Sequence, residues 1–206
     1  MVDRPLNILI AGVGGQGSLL AGDVLATAAV SHGYRPVVGQ TFGAPRRGGS
    51  VLTHLRFSDI DLGPLIPYGK VDVLIGLELM ESLRAAISHC GLKTRAVVSP
   101  IRVHTAATLS GEEKYPEEGA VLDSLASICG EVYDLDRLSE LDKALASRSL
   151  NMYLVGFAAG LAEEQLPSKK VRKAISDIVS PPEPSLESFD NGLAALKTTR
   201  SYRSEI

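Results

Sequence analysis

The sequence has no tryptophan, only two cysteines in 206 residues, and no long hydrophobic run. Cys90 and Cys129 form no CxxC pair, so the chain lacks the four closely spaced thiolates of a ferredoxin-type cluster. His32, His54, His89 and His104 fall into no HxH or HxxxH spacing, which argues against an intrinsic zinc site. No stretch approaches the ~20 apolar residues of a membrane span. Residues 1–5 lack the basic-then-apolar layout of a secretory leader. There is no basic surplus either: the formal net charge is −3, which argues against phosphate-backbone binding. The expectation is a cytoplasmic, reduced protein with no nucleic-acid or membrane partner and no metal bound by its own residues.

What is present fits a soluble globular chain. Hydrophobic residues make up 45% and charged residues 22%. The length suits one domain over residues 1–206. Its twenty glycines favour an α/β fold with tight turns over an aromatic-rich sandwich.

The patterning supports this. Residues 6–11 read as a buried strand and 18–32 as a helix closed by Gly33. Strands are expected over 34–39, 51–57, 71–76, 95–99 and 131–135, with helices over 78–89, 120–128 and 138–146. Residues 111–119 (GEEKYPEEG) read as an acidic surface loop. From about 150 to 206 the chain reads as helical: 150–166, 171–179 and 185–196, broken by Ser180-Pro-Pro-Glu-Pro184. Gly156 and Gly160 in the most apolar of these helices point to close helix packing. The fold class is a Rossmann-like three-layer α/β sandwich, with a mostly parallel sheet and a helical C-terminal third.

Two loops stand out. Gly12-Val-Gly14-Gly15-Gln16-Gly17 matches GxGxxG between a strand and a helix, where glycines and unpaired N–H groups can meet a phosphate. The alternative is a tight turn that serves packing alone. No acidic residue lies between Asp23 and Asp59, so the ribose-binding carboxylate of a nicotinamide site is missing. No Gly-Lys-Ser/Thr follows, so the phosphate-lysine loop is missing too. The second loop, Arg46-Arg47-Gly48-Gly49-Ser50, sets guanidinium groups at a strand entrance, suited to carboxylates, phosphates or an interface. In an open α/β sheet both loops belong at the carboxyl edge. Glu78 reads as a helix cap, Cys129 as a small buried hydrophobe, and His54, in mid-strand, as structural. No residue presents itself as catalytic.

Together the two loops resemble the gamma-type domain of the 2-oxoacid:ferredoxin oxidoreductases. The resemblance rests on Gly12–Gly22, Arg47-Gly-Gly-Ser-Val51, Thr53-His-Leu-Arg56, Pro64-Leu-Ile, Asp72–Glu78 and Asn151–Gly156, and spans most of residues 6–166. The RGGSV…His54-x-Arg56 form is most similar to the indolepyruvate branch. The resemblance implies a subunit of a larger enzyme that oxidatively decarboxylates a 2-oxoacid, indolepyruvate or another aryl pyruvate, to an acyl-CoA. A large alpha subunit would carry thiamine diphosphate, Mg and the 4Fe-4S clusters and would pass electrons to ferredoxin. This chain alone would hold no cofactor and would assist coenzyme A binding. It further implies a binding set of Gly12, Gly14, Gly15, Gln16 and Gly17 for a CoA phosphate, Arg47, Gly48 and Gly49 beside the alpha subunit, and Thr41 and Ser50 as added hydrogen-bonding groups. GxGxxG alone leaves open a self-sufficient NAD or flavin oxidoreductase, and the lack of a catalytic group leaves open a non-enzymatic CoA- or nucleotide-binding module. A homodimer of the isolated chain is also left open.

Overall fold

Every residue of Leu6–Val13 (β1) is buried. A strand apolar on both faces needs cover on both, which places it inside a sheet between helix layers. The computed structural model describes residues 4–43, 49–103, 114–135 and 143–202, with side chains in the last stretch from residue 149. Arg46, Arg47, Gly48, His104, residues 111–113 of the acidic loop and residues 138–142 of the expected helix lie outside the described residues.

From β1 the chain runs through Ser18–His32 (α1), Arg35–Phe42 (β2) and Ser50–Ser58 (β3). Val73–Gly76 (β4), Leu79–His89 (α2), Arg95–Val98 (β5), Glu118–Ile128 (α3) and Glu131–Asp134 (β6) follow. Lys143–Leu161 (α4), Ser168–Ile178 (α5) and Glu183–Ala195 (α6) make the helical last third. The sheet order is β2-β3-β1-β4-β5-β6. β3 runs antiparallel to β1 and β2, and the remaining pairs are parallel. The mostly parallel three-layer sandwich expected from the sequence is therefore the fold.

Strand alternation divides the core. Ile8, Ile10, Ile75 and Val97 face α1 and the C-terminal helices. Leu9, Ala11, Leu74 and Val98 face α2 and α3. Gly33 closes α1 at φ 101°, a left-handed conformation that suits glycine. α4 passes through Ser149, whose φ of −143° kinks it where two helices were expected. α4 and α6 pack backbone to backbone: a Cβ on Gly156 would overlap the Phe189 carbonyl, and one on Gly192 the Tyr153 carbonyl.

The two cysteines, distant in sequence, are neighbours in the fold. Cys90 caps α2 and Cys129 caps α3, and these crossover helices end side by side. Thr94 ties the ends together: its hydroxyl accepts the Gly91 N–H at 3.0 Å and its carbonyl the Gly130 N–H at 3.0 Å. The two thiols lie within reach of each other, and the neighbouring Cys129 thiol together with burial pushes the Cys90 pKa up.

Candidate functional site

β1 and β4 are parallel neighbours whose following helices leave to opposite faces of the sheet. This is the topological switch point of an open α/β sheet, where a crevice forms beyond the carboxyl ends of the strands. The loop from Gly12 to Gly17 lies there, between β1 and α1. Because β3 is reversed, its first residues reach the same edge, and Ser50 pairs with Val13. The two loops meet directly: the Gly14 N–H donates to the Gly49 carbonyl at 3.1 Å. The Gly43 N–H donates to the Ser50 carbonyl at 2.7 Å, holding β2 to β3 at that edge.

Gln16 braces the loop from within. Its Oε1 accepts the Val13 N–H at 2.8 Å, and its Nε2 donates to the Leu77 carbonyl at 2.9 Å. Gly12 makes room for this, since a Cβ there would stand 2.6 Å from Gln16 Oε1 and 2.9 Å from Leu77 Cβ. Gly17 is the N-cap of α1 at φ 77°, and a side chain on it would strike Asn151. Asn151, just past the α4 kink, donates from Nδ2 to the Gly17 carbonyl at 3.2 Å.

The expected donor set therefore divides. The Gly14 N–H is taken by Gly49, and the Gln16 N–H donates to the Val13 carbonyl at 3.3 Å. The N–H groups of Gly15, Gly17 and Ser18 have no backbone acceptor among the described residues. Gly15 is exposed at φ +100°, with nothing within 4 Å of where its Cβ would be. Its need for glycine is thus conformational. The free donors sit at the positive end of the α1 dipole. Gly49 is buried and Ser50 half-buried beside the loop. Thr41 is exposed on β2, one strand beyond β3, and is not brought to the glycine loop. Because β3 lies between β1 and β2, the dinucleotide arrangement, with the second strand beside the first, does not form.

Neighbouring marked residues are structural. Glu78 is buried; its Oε2 accepts the Glu81 N–H at 2.7 Å and caps α2. Its Oε1 accepts the Val103 N–H at 3.1 Å and the Tyr115 hydroxyl, which anchors the segment after β5. His54 and Arg56 strap residues 63–66 onto β3. His54 Nδ1 accepts the Ile66 N–H at 3.3 Å, and Arg56 Nη1 donates to the carbonyls of Gly63 at 2.9 Å and Leu65 at 3.3 Å. The Thr53–Arg56 and Pro64-Leu-Ile segments of the sequence pattern are thus one unit. Asn151 and the Gln16 brace were not legible as such, since their partners are 134 and 61 residues away; only the presence of Asn151–Gly156 in the pattern hinted at the former.

A switch-point glycine loop tied to an antiparallel third strand agrees with what similarity shows. The chain belongs to the pyruvate ferredoxin/flavodoxin oxidoreductase family, whose sequence model matches residues 7–202. It is 33% identical over 172 residues to the indolepyruvate oxidoreductase subunit IorB of Archaeoglobus fulgidus, a match covering 84% of this chain and 85% of that one. Its fold matches the gamma subunit of a keto/oxoacid ferredoxin oxidoreductase from Geobacter sulfurreducens, with a TM-score of 0.66 at 18% identity over 94% of this chain and 99% of that one. It also matches the 2-oxoglutarate:ferredoxin oxidoreductase of Magnetococcus marinus, solved with 2-oxoglutarate, coenzyme A and succinyl-CoA bound. There the TM-score is 0.65 at 22% identity, over 98% of this chain and 32% of that chain. The gamma-type resemblance read from the sequence holds. No helix among the described residues is long and apolar enough to cross a membrane.

Proposed function

We propose that this chain is the cluster-free subunit of a thiamine-dependent 2-oxoacid:ferredoxin oxidoreductase acting on indolepyruvate or another aryl pyruvate. It assists coenzyme A binding and completes the active site for oxidative decarboxylation to an acyl-CoA. The thiamine diphosphate, Mg and 4Fe-4S clusters belong to the large partner subunit, and ferredoxin is reached through that subunit. The IorB similarity supports the substrate class.

The observation that carries the reading is the junction of the two loops through Gly14 and Gly49, with exposed Gly15 and the start of α1 beside it. Free N–H groups at a helix start suit a phosphate or pyrophosphate of coenzyme A. Arg47, with Gly48 and Gly49, is assigned to the contact with the large subunit, with Ser50 as a secondary polar group; Thr41, set apart on β2, is left out of the set. The test is coenzyme A-dependent thermal stabilisation. It is expected in the wild-type complex and lost in Gly15→Val, whose left-handed backbone penalises a branched side chain by ~1–2 kcal/mol. Equal stabilisation of both by coenzyme A would contradict the assignment.

A further inference from the structure

At the opposite edge of the sheet from the glycine loop, a cavity of about 550 Å³ opens beside the start of β1. Its size lies within the range of small-molecule sites. Its charge is one-sided. Arg4, Arg56, Lys70 and Lys93 line it, with Asp72 the one acid among its lining residues, in a chain whose formal charge is −3. Asp72 is already engaged: its Oδ1 lies 3.4 Å from Arg4 Nη1, and its Oδ2 accepts the Asn7 N–H at 2.8 Å. Three positive charges remain after that pair is discounted.

Arg56 is only 9% exposed, yet its acceptors among the described residues are all neutral oxygens. Its Nε donates to Asn7 Oδ1 at 3.1 Å, and Nη1 donates to the carbonyls of Gly63 and Leu65. Among the described residues no carboxylate meets it, and Nη2 has no hydrogen-bond acceptor. A buried guanidinium is normally paired, and its fork suits a phosphate. Pro5, Pro67, Val71 and Leu92 add an apolar wall. Leu92, 79% exposed, stands at the outer end of this wall.

The geometry points to a binding site for a small phosphorylated molecule, with Arg56 at its floor, Lys70 and Lys93 at its rim, and the apolar wall taking the non-phosphate part. This stands independently of the reading of the glycine loop. The probes are inorganic pyrophosphate and ADP, titrated calorimetrically into the full chain. Saturable binding is expected, tighter for ADP because it also covers the apolar wall. Lys70→Glu/Lys93→Glu, two exposed positions whose exchange leaves the core intact, is expected to weaken both at least about tenfold. Lys169→Glu/Lys197→Glu makes the same change in net charge elsewhere and is expected to leave binding unchanged, and the binding that Lys70→Glu/Lys93→Glu weakens is expected to persist in Gly15→Val, which removes only what the glycine loop contributes. The proposal is overturned if neither probe binds saturably, if both lysine pairs weaken binding equally, or if Gly15→Val alone removes it.

Discussion

His54 and His89 sit ring to ring, with centroids 5.0 Å apart at 86°. Burial and then the neighbouring His89 push the His54 pKa down to about 4, and burial lowers that of His89. Both are therefore neutral in the fold at neutral pH but protonate more readily in the unfolded chain. Because the folded values are depressed, the stability they contribute is complete above about pH 6.5 and is lost as pH falls towards 4, at about 1.4 kcal/mol per pH unit for His54. Urea midpoints should be level between pH 7 and 8 and fall steadily below 6.5. His54→Asn, which keeps an acceptor for the Ile66 N–H, should be less stable at pH 7.5 but show a shallower acid loss. An unchanged acid slope in that variant would place the sensitivity elsewhere. At this scale the sequence singled out the glycines of the loop but not what each of them packs against. Gly12 and Gly17 serve the side chains of Gln16 and Asn151, and Gly14 spends its N–H on Gly49. These duties depend on contacts far apart in sequence, which spacing and periodicity do not encode.

Between elements, the tightest contact joins α4 to α6. The Gly156–Phe189 and Tyr153–Gly192 approaches leave no room for a methyl group. Gly192→Ala forces the two helices apart and is expected to cost about 3 kcal/mol or more, seen as a large drop in melting temperature. A shift within ~1 °C of wild type would mean that the helices are not packed this closely. The small-residue pattern of Gly156 and Gly160 made this contact legible on one helix, whereas its partner on α6 emerged only from the fold. Strand and helix identities were readable because apolar runs, glycines and prolines punctuate them sharply. Some limits were not: β2 extends to Phe42 through exposed residues whose pairing comes from β3, and the α4 kink at Ser149 joins segments that read as separate. The cysteine pair escaped sequence reading because only the parallel crossover order sets the ends of α2 and α3 together.

As a whole, the molecule is a sheet with two unlike edges. The carboxyl edge gathers the two glycine loops with the segments of Leu77 and Asn151 into one hydrogen-bonded group: Gly14 to Gly49, Gln16 to Leu77, Asn151 to Gly17. The amino edge holds the basic cavity around Arg56. The two cysteines of the described residues are both buried and lie beside each other, away from the carboxyl edge. The most direct test is 2-oxoacid-dependent ferredoxin reduction by the purified large subunit, alone, with the wild-type chain, and with Arg47→Ala. Coenzyme A-dependent turnover should require this chain and fall about tenfold or more with Arg47→Ala, the scale of one lost charged contact. Equal turnover by the large subunit without this chain would contradict the proposed function.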